Sequence, residues 1–283
     1  MRVLLISANT ERMNILPLPL GPAFVAAATR RAGHDVILLN LMFEGNTKSA
    51  IQGCIAEFQP DVVGISVRNI DDQNMADPKF LQPPVREVVA MCRSLCDALI
   101  VVGGAGYSIF PASALRYLGA DTGVQGEGET TFPALLERLA KGAPVRGLPS
   151  LYLPGQPPPD RTFARNLDDL PLPEPELWIP AVSGRTEFWV PIQSRRGCPL
   201  DCSFCSTRAI EGRALRRHSP EAIAAWLEQL VSSGFTNFNF VDNTFNLPPT
   251  TPKSFAGRSS NAASRLTSGA SSIPSGLIAS WWN

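Results

Sequence analysis

From Arg2 to Gly126 the chain alternates short continuous apolar runs with stretches that carry one apolar helical face, a rhythm that few folds accept. RVLLIS at 2–7 breaks into the polar SANT at 7–10, as a buried strand opening into a loop does. After the proline-marked turn at 17–22, AFVAAATRRAG presents a helical apolar face and stops at Gly33, and DVILLNL follows as the next strand. The rhythm continues through a helix over Ser49–Phe58, the strand DVVGISV from Asp61, a helix over Val85–Leu95, the strand ALIVVGG, a short helix near Ala112–Leu118 and the strand TGVQG. This alternation predicts an α/β fold, a doubly wound sheet of five parallel strands. Ligands of such sheets bind beyond the carboxyl ends of the strands. The loops there are SANT at 7–10, SVRN at 66–69, GGAG at 103–106 and GEGE at 126–129. Their glycines either let backbone approach a bulky ligand or merely make tight strand-to-helix turns.

A second feature stands at 191–207, PIQSRRGCPLDCSFCST, where Cys198, Cys202 and Cys205 follow an extended apolar run in the pattern C-x3-C-x2-C. A loop lets the sulfurs converge on one point. Tetrahedral zinc takes four ligands in paired spacings, whereas a three-cysteine loop suits an iron–sulfur cluster with one iron left open. A structural or zinc role is the competing reading. Lysine plus arginine equals aspartate plus glutamate at 25 each, so no net field favours nucleic acid or an anionic membrane over a small molecule. The N-terminus has too short an apolar run for a signal peptide or membrane helix, and six cysteines, three in one metal-like loop, suit a reducing compartment; a cytoplasmic protein without disulfides is expected.

The cysteine stretch, with Phe204 just before the last cysteine and Arg195, Arg196 and Gly197 upstream, resembles the signature of the radical S-adenosylmethionine (SAM) superfamily. The resemblance implies that Cys198, Cys202 and Cys205 hold a [4Fe-4S] cluster whose open iron chelates SAM, that Phe204 packs near the adenine, and that one-electron reduction cleaves SAM to a 5′-deoxyadenosyl radical. It also implies a one-electron reductant such as flavodoxin or ferredoxin as partner, and a small-molecule substrate. No residue beyond the cluster ligands is assigned a catalytic role.

GGAGYSIFPASALRYLGADTGVQGEGETTFPALLERL, together with LGPAFVAAATRRAGHDVILLN, resembles the Rossmann-like cobalamin-binding domain that precedes the catalytic domain in one subgroup of that superfamily. On this resemblance Ser7, Asn9, Ser66, Gly103, Gly104, Gly106, Gly126 and Glu127 are the candidate cobalamin contacts. Many cobalamin domains carry a histidine below the cobalt in the first loop, but here that loop is SANTERMN. His34 lies in a helix-to-strand turn and His218 precedes a later helix, so either cobalamin binds without a histidine lower ligand or the domain binds none. Cys54, Cys92 and Cys96 read as core.

The segment 142–184 is dense in proline and reads as a linker, in which LPSLYLP forms a short strand at most and the acidic LDDLPLPEPEL faces solvent. Residues 1–141 thus form the cobalamin-binding-like domain and 185–247 the start of a radical SAM β/α barrel. FWVPIQ is its first strand, Ser219 caps a helix with Pro220 in its first turn, and TNFNFVDN is its second strand. Asp242 and Asn243 at that strand's end either contact SAM or cap the strand. From 248 to 283 the serine-rich chain has no strand or helix periodicity, so the barrel reads as incomplete. A truncated or frameshifted product that need not be active is expected, with a disordered tail on a minimal protein as the alternative. Methylation or rearrangement at an unreactive carbon is the implied outcome; a cobalamin-binding module with an inactive cluster loop and an iron–sulfur electron-transfer protein are the alternatives.

Overall fold

A computed structural model describes residues 1–11, 16–72, 74–178 and 188–243; the segment 248–283 lies outside the described residues. The chain runs through β1 (Arg2–Ser7), β2 (Leu16–Pro17), α1 (Leu20–Arg31), β3 (Asp35–Asn40), α2 (Thr47–Phe58), β4 (Val62–Ser66), α3 (Gln82–Leu95) and β5 (Leu99–Gly103). It continues with α4 (Ala105–Ile109), α5 (Pro111–Leu118), β6 (Thr122–Val124), α6 (Gly128–Ala140) and β7 (Leu151–Tyr152). The second half holds β8 (Phe188–Ile192), β9 (Arg195–Arg196), α7 (Thr207–Glu211), β10 (Arg216–Arg217), α8 (Pro220–Ser232) and β11 (Phe238–Phe240).

The first sheet has the order β3-β1-β4-β5-β6-β7. Its five expected strands are all parallel, and a sixth, β7, is added antiparallel on β6. That addition comes from LPSLYLP: after α6 the chain turns back along the sheet edge, and an antiparallel neighbour needs no crossover helix. Helices α1 and α6 cover one face, while α2, α3 and α5 cover the other. Helix α3 begins three residues before the expected Val85, because Pro83 and Pro84 fit a first turn whose N–H groups need no partner. Ser219 caps α8 as its sequence suggests, its hydroxyl accepting the Ala222 N–H at 3.2 Å.

The linker is packed rather than loose. Leu148, Leu151, Leu167, Leu177 and Trp178 are buried, and the core on the α1/α6 face runs through Leu177 and Trp178 into Val190, Ile192, Ile223, Trp226 and Leu230 of the second half. Trp226 lies 6.2 Å from Phe24 of α1 and 6.3 Å from Trp178, ring centre to ring centre, and donates its indole N–H to Pro173 O at 2.8 Å. Burying each such side chain stabilises the fold by roughly 1.5–3 kcal/mol. The acidic linker residues do not all face solvent unpartnered, either. Asp168 accepts the Ser219 N–H at 2.9 Å and Glu174 pairs with Arg30 at 2.8 Å, because the linker runs between α1 and α8.

In the second half β8 and β11 are parallel and joined through α8, one β-α-β unit. The other edge of β8 takes β2, from the loop after β1, so the order is β11-β8-β2. Among the described residues no helix is long and apolar enough to cross a membrane.

Candidate functional site

Beyond the carboxyl ends of β4, β5 and β6 lies a solvent-open cleft of about 240 Å³. Its walls are Leu20, Pro22, Phe24 and Val25 of α1, its rim includes Ser66, Gly103, Gly104, Gly126 and Glu127, and its far side is built by Gln193, Arg196, Ile210 and Glu211. Five of the expected cobalamin contacts thus come together there. Asn9 instead lines a depression of about 20 Å³, enough for a water molecule, and Ser7 and Gly106 line neither. Gly106 packs on the Asn69 backbone. Gly104 adopts φ +97°, and a Cβ there would fall 2.7 Å from Val67 O, so this position needs glycine to let two loops close on each other.

The three site cysteines lie on an excursion between β9 and β10, which pair antiparallel, Arg196 opposite Arg216. Gly197, at φ +88°, starts the excursion where a side chain would overlap Ala214 O. Glu211, at the end of α7, fixes the base: its carboxylate accepts the Gly197 N–H at 2.9 Å, Gln193 Nε2 at 3.1 Å and Asn243 Nδ2 at 3.0 Å. Cys198 is 7% exposed, and its N–H bonds to Gly212 O at 3.1 Å. Cys202 and Cys205 are exposed on a turn closed by Cys205 N–H to Cys202 O at 3.2 Å, with Phe204 between them 91% exposed. Hydrogen bonds with the Thr207 side chain and backbone lower the Cys205 thiol below its usual value, against burial and the Glu211 charge. All six cysteines are free thiols. Among the described residues, however, no three His, Cys, Asp or Glu side chains are gathered closely enough to hold one metal ion, so the sulfurs do not form a ready-made cage.

Asp242 turns inward. It accepts the Ser194 and Arg195 N–H groups at 2.7 and 3.1 Å and the Ser194 hydroxyl at 2.5 Å, with no side-chain exposure. This favours the strand-capping reading over contact with SAM: burial raises its pKa and these hydrogen bonds oppose the rise. The Glu127 carboxylate, at the cleft's rim, is engaged in a buried ion network with Arg196, Arg216 and, through Arg196, Glu129. Burial lowers the Arg196 pKa, and the Glu129 and Glu127 carboxylates more than reverse this. Glu129, Glu211 and Arg216 escape a reading by motif; the signal was the doubled acid in GEGE at a helix start, facing no local base. His34 contacts the N-terminal amine and His218 contacts Asp168, so neither lines the cleft. Cys92 is core, its thiol pushed up to about 12 by burial and by Cys96.

Residues 15–136 match the B12 binding domain family. The chain is 30% identical over 263 residues to an uncharacterized methyltransferase of Pyrococcus horikoshii, covering 87% of this chain and 54% of the relative. It is 31% identical over 227 residues to the hopanoid C-3 methylase of Methylococcus capsulatus, covering 76% and 41%. The chain therefore spans about half the length of the curated relatives it matches. Its fold is that of the radical SAM methyltransferase TsrM from Kitasatospora setae, solved with cobalamin and a [4Fe-4S] cluster bound, at TM-score 0.76 and 23% identity over 92% of this chain and 51% of that one. The chain thus combines a match to the B12 binding domain family, methyltransferase relatives, and over most of its length the fold of a radical SAM methyltransferase.

Proposed function

We propose that the chain is a cobalamin-dependent radical SAM enzyme, or the N-terminal part of one, that methylates an unreactive carbon of a small-molecule substrate. The observation that carries this reading is the cleft itself: strand-end loops of a B12-binding fold form one side and the base of the cysteine excursion forms the other. The groups involved, when bound, supply reductive cleavage of SAM and methyl transfer to carbon.

The residues present suit those groups. The cleft's apolar α1 wall and the backbone edges at Gly103 and Gly104 would hold a flat macrocycle, with Ser66 and Gly126 at the rim and neither His34 nor His218 lining it. Three free thiols within eight residues, one held toward thiolate, are the donor set for the cluster. Cys202 and Cys205 would have to close toward Cys198, a rearrangement expected where metal binding completes its own site. Phe204 and Asn243 are the side chains left to meet SAM, and Phe204 has the exposed face to do so. Asp242 and Glu211 orient the backbone that leads into the excursion, at Ser194–Arg195 and at Gly197. A one-electron carrier of the flavodoxin or ferredoxin kind would supply the electron.

Anaerobic loading with iron and sulfide tests the cluster, uptake of hydroxocobalamin tests the cleft, and 5′-deoxyadenosine or methylated product tests the chemistry. The expected result is a coloured protein whose iron is lost in Cys198→Ala; a protein that stays colourless would end the cluster assignment. The dispersed sulfurs favour one other reading, a cobalamin-binding module whose cysteine loop is inactive. Cobalamin uptake without iron would select it.

A further inference from the structure

Glu127 stands in the loop that rims the cleft, yet its hydrogen bonds and ion pairs run to the linker and to the second half. Oε1 accepts Arg216 Nη1 at 2.5 Å and lies 3.5 Å from Arg196 Nη1, while Oε2 accepts the Ala164 N–H at 2.9 Å. Arg196 and Arg216 sit opposite each other on β9 and β10. The cysteine excursion is therefore fastened at both of its ends to a single carboxylate. All of these side chains are at least nine-tenths buried, where charges interact with little screening. The network balances Arg196 and Arg216 against Glu127 and Glu129, and removing one member leaves an uncompensated buried charge. Among the described residues the ion pair of Glu129 is with Arg196, one strand of the pair.

We propose that Glu127 is the positioning residue of the cysteine loop, the carboxylate that ties both strands of the β9–β10 ribbon together beneath the Glu211 contact with Gly197, and with them holds Cys198 in its buried place. Its bearing on the reaction rests on the reading given above, whereas the fastening does not. Glu127→Gln replaces an acceptor shared by two guanidinium groups with an amide whose NH2 end repels them, so it releases both strands. Glu129→Gln releases one.

The test needs no cofactor. The full chain is treated with N-ethylmaleimide, and labelling of Cys198 and Cys92 is followed by peptide mass spectrometry. Cys92, in the core of the first half, reports whether the fold is intact. The expected result is Cys198 labelling about tenfold faster in Glu127→Gln and about threefold faster in Glu129→Gln, with Cys92 unchanged, as for local opening without global unfolding. Cys198 labelling within about twofold of wild type in Glu127→Gln, or an equal or larger effect of Glu129→Gln, would overturn the proposal. So would weakened hydroxocobalamin binding in Glu127→Gln with Cys198 still protected, since that outcome makes Glu127 a cleft contact. If Cys92 becomes reactive, Glu127→Asp, which keeps the charge but withdraws it by one methylene, is judged by the same criteria. Failure of the wild-type chain to take up cofactors would remove the proposed function and leave this result standing. Failure here would leave that function and take Glu127 out of it.

Discussion

The two sets of loops that face each other across the cleft are held in opposite ways. Those after β4 and β5 close by backbone contact, Val67 N–H bonding to Gly103 O at 2.8 Å and Gly106 N–H to Val67 O at 2.9 Å, and the loop after β6 joins them through Gly126 N–H to the Ser108 hydroxyl at 2.8 Å. The cysteine excursion is held at its base by buried carboxylates, and its outer part leaves Leu200, Cys202, Phe204 and Cys205 exposed. One side is a closed surface; the other is an arm anchored at its base and exposed at its tip. That division suits a site in which one cofactor docks on a preformed shelf and another draws its own ligands together.

The contrast presumes that both sides are mounted on one body, and Trp226 offers the severest way to break that. Its side chain joins α1, the linker and α8, so Trp226→Ala should cost about 3–5 kcal/mol. Urea unfolding should show one transition moved to lower denaturant. Two separate transitions in the wild-type chain would mean that the halves fold independently and that the cleft between them is an accident of docking. Next in size is the shelf. Gly104→Ala forces a side chain into a backbone region that non-glycine residues avoid and against Val67 O, for about 1–3 kcal/mol and weaker cobalamin uptake. Unchanged stability would mean that the loops are not closed on each other as described.

The shelf was legible in the sequence and the arm's anchorage was not, for a physical reason. Strands such as RVLLIS and VVGIS, buried on both faces, write themselves as apolar runs, and Ser219–Pro220 announces a helix start from three adjacent residues. Glycine-rich turns are equally local. The anchorage joins residues far apart in the chain: Glu127 meets Arg216 across 89 positions, and Asp242 meets Ser194 across 48. No periodicity records such pairs. The linker misled for a related reason, since its prolines signal irregular backbone but say nothing about whether Leu167 and Trp178 between them are buried. The cysteine spacing nominated the donors and left their present separation unread.

The linker's grip on the arm gives a smaller, pH-dependent test. Asp168 accepts the Ser219 N–H and contacts buried His218, whose own N–H bonds to Ser194 O just before β9. Burial pushes the Asp168 pKa up, but the Ser219 hydrogen bonds and His218 outweigh it and leave the pKa below the usual 3.8. A carboxyl depressed in the folded state adds stability that is fully present above its unfolded value and is lost as pH falls through its folded value. Asp168→Asn should therefore be about 1 kcal/mol less stable at pH 7, and the gap should narrow below pH 3.8. A gap that persists unchanged into acid would assign the loss to packing instead.

The finest distinction lies within the arm, between cysteines that differ in readiness although all are free. Cys205 has Thr207 to favour its thiolate, while Cys198 is buried and Cys92 needs a pH near 12 to ionise. Alkylation by iodoacetamide at pH 7 follows the thiolate fraction and access, so Cys205 should react first and Cys92 last. Thr207→Val removes the side-chain hydrogen bond but keeps the shape, and should slow Cys205 by about threefold at pH 7. Well above the ordinary thiol pKa of about 8.5 both proteins carry the thiolate, so the two rates should meet there. A difference that survives at high pH would mean that Thr207 acts by placing the turn rather than by tuning its sulfur, and the arm's tip would then be more rigid than its exposure suggests.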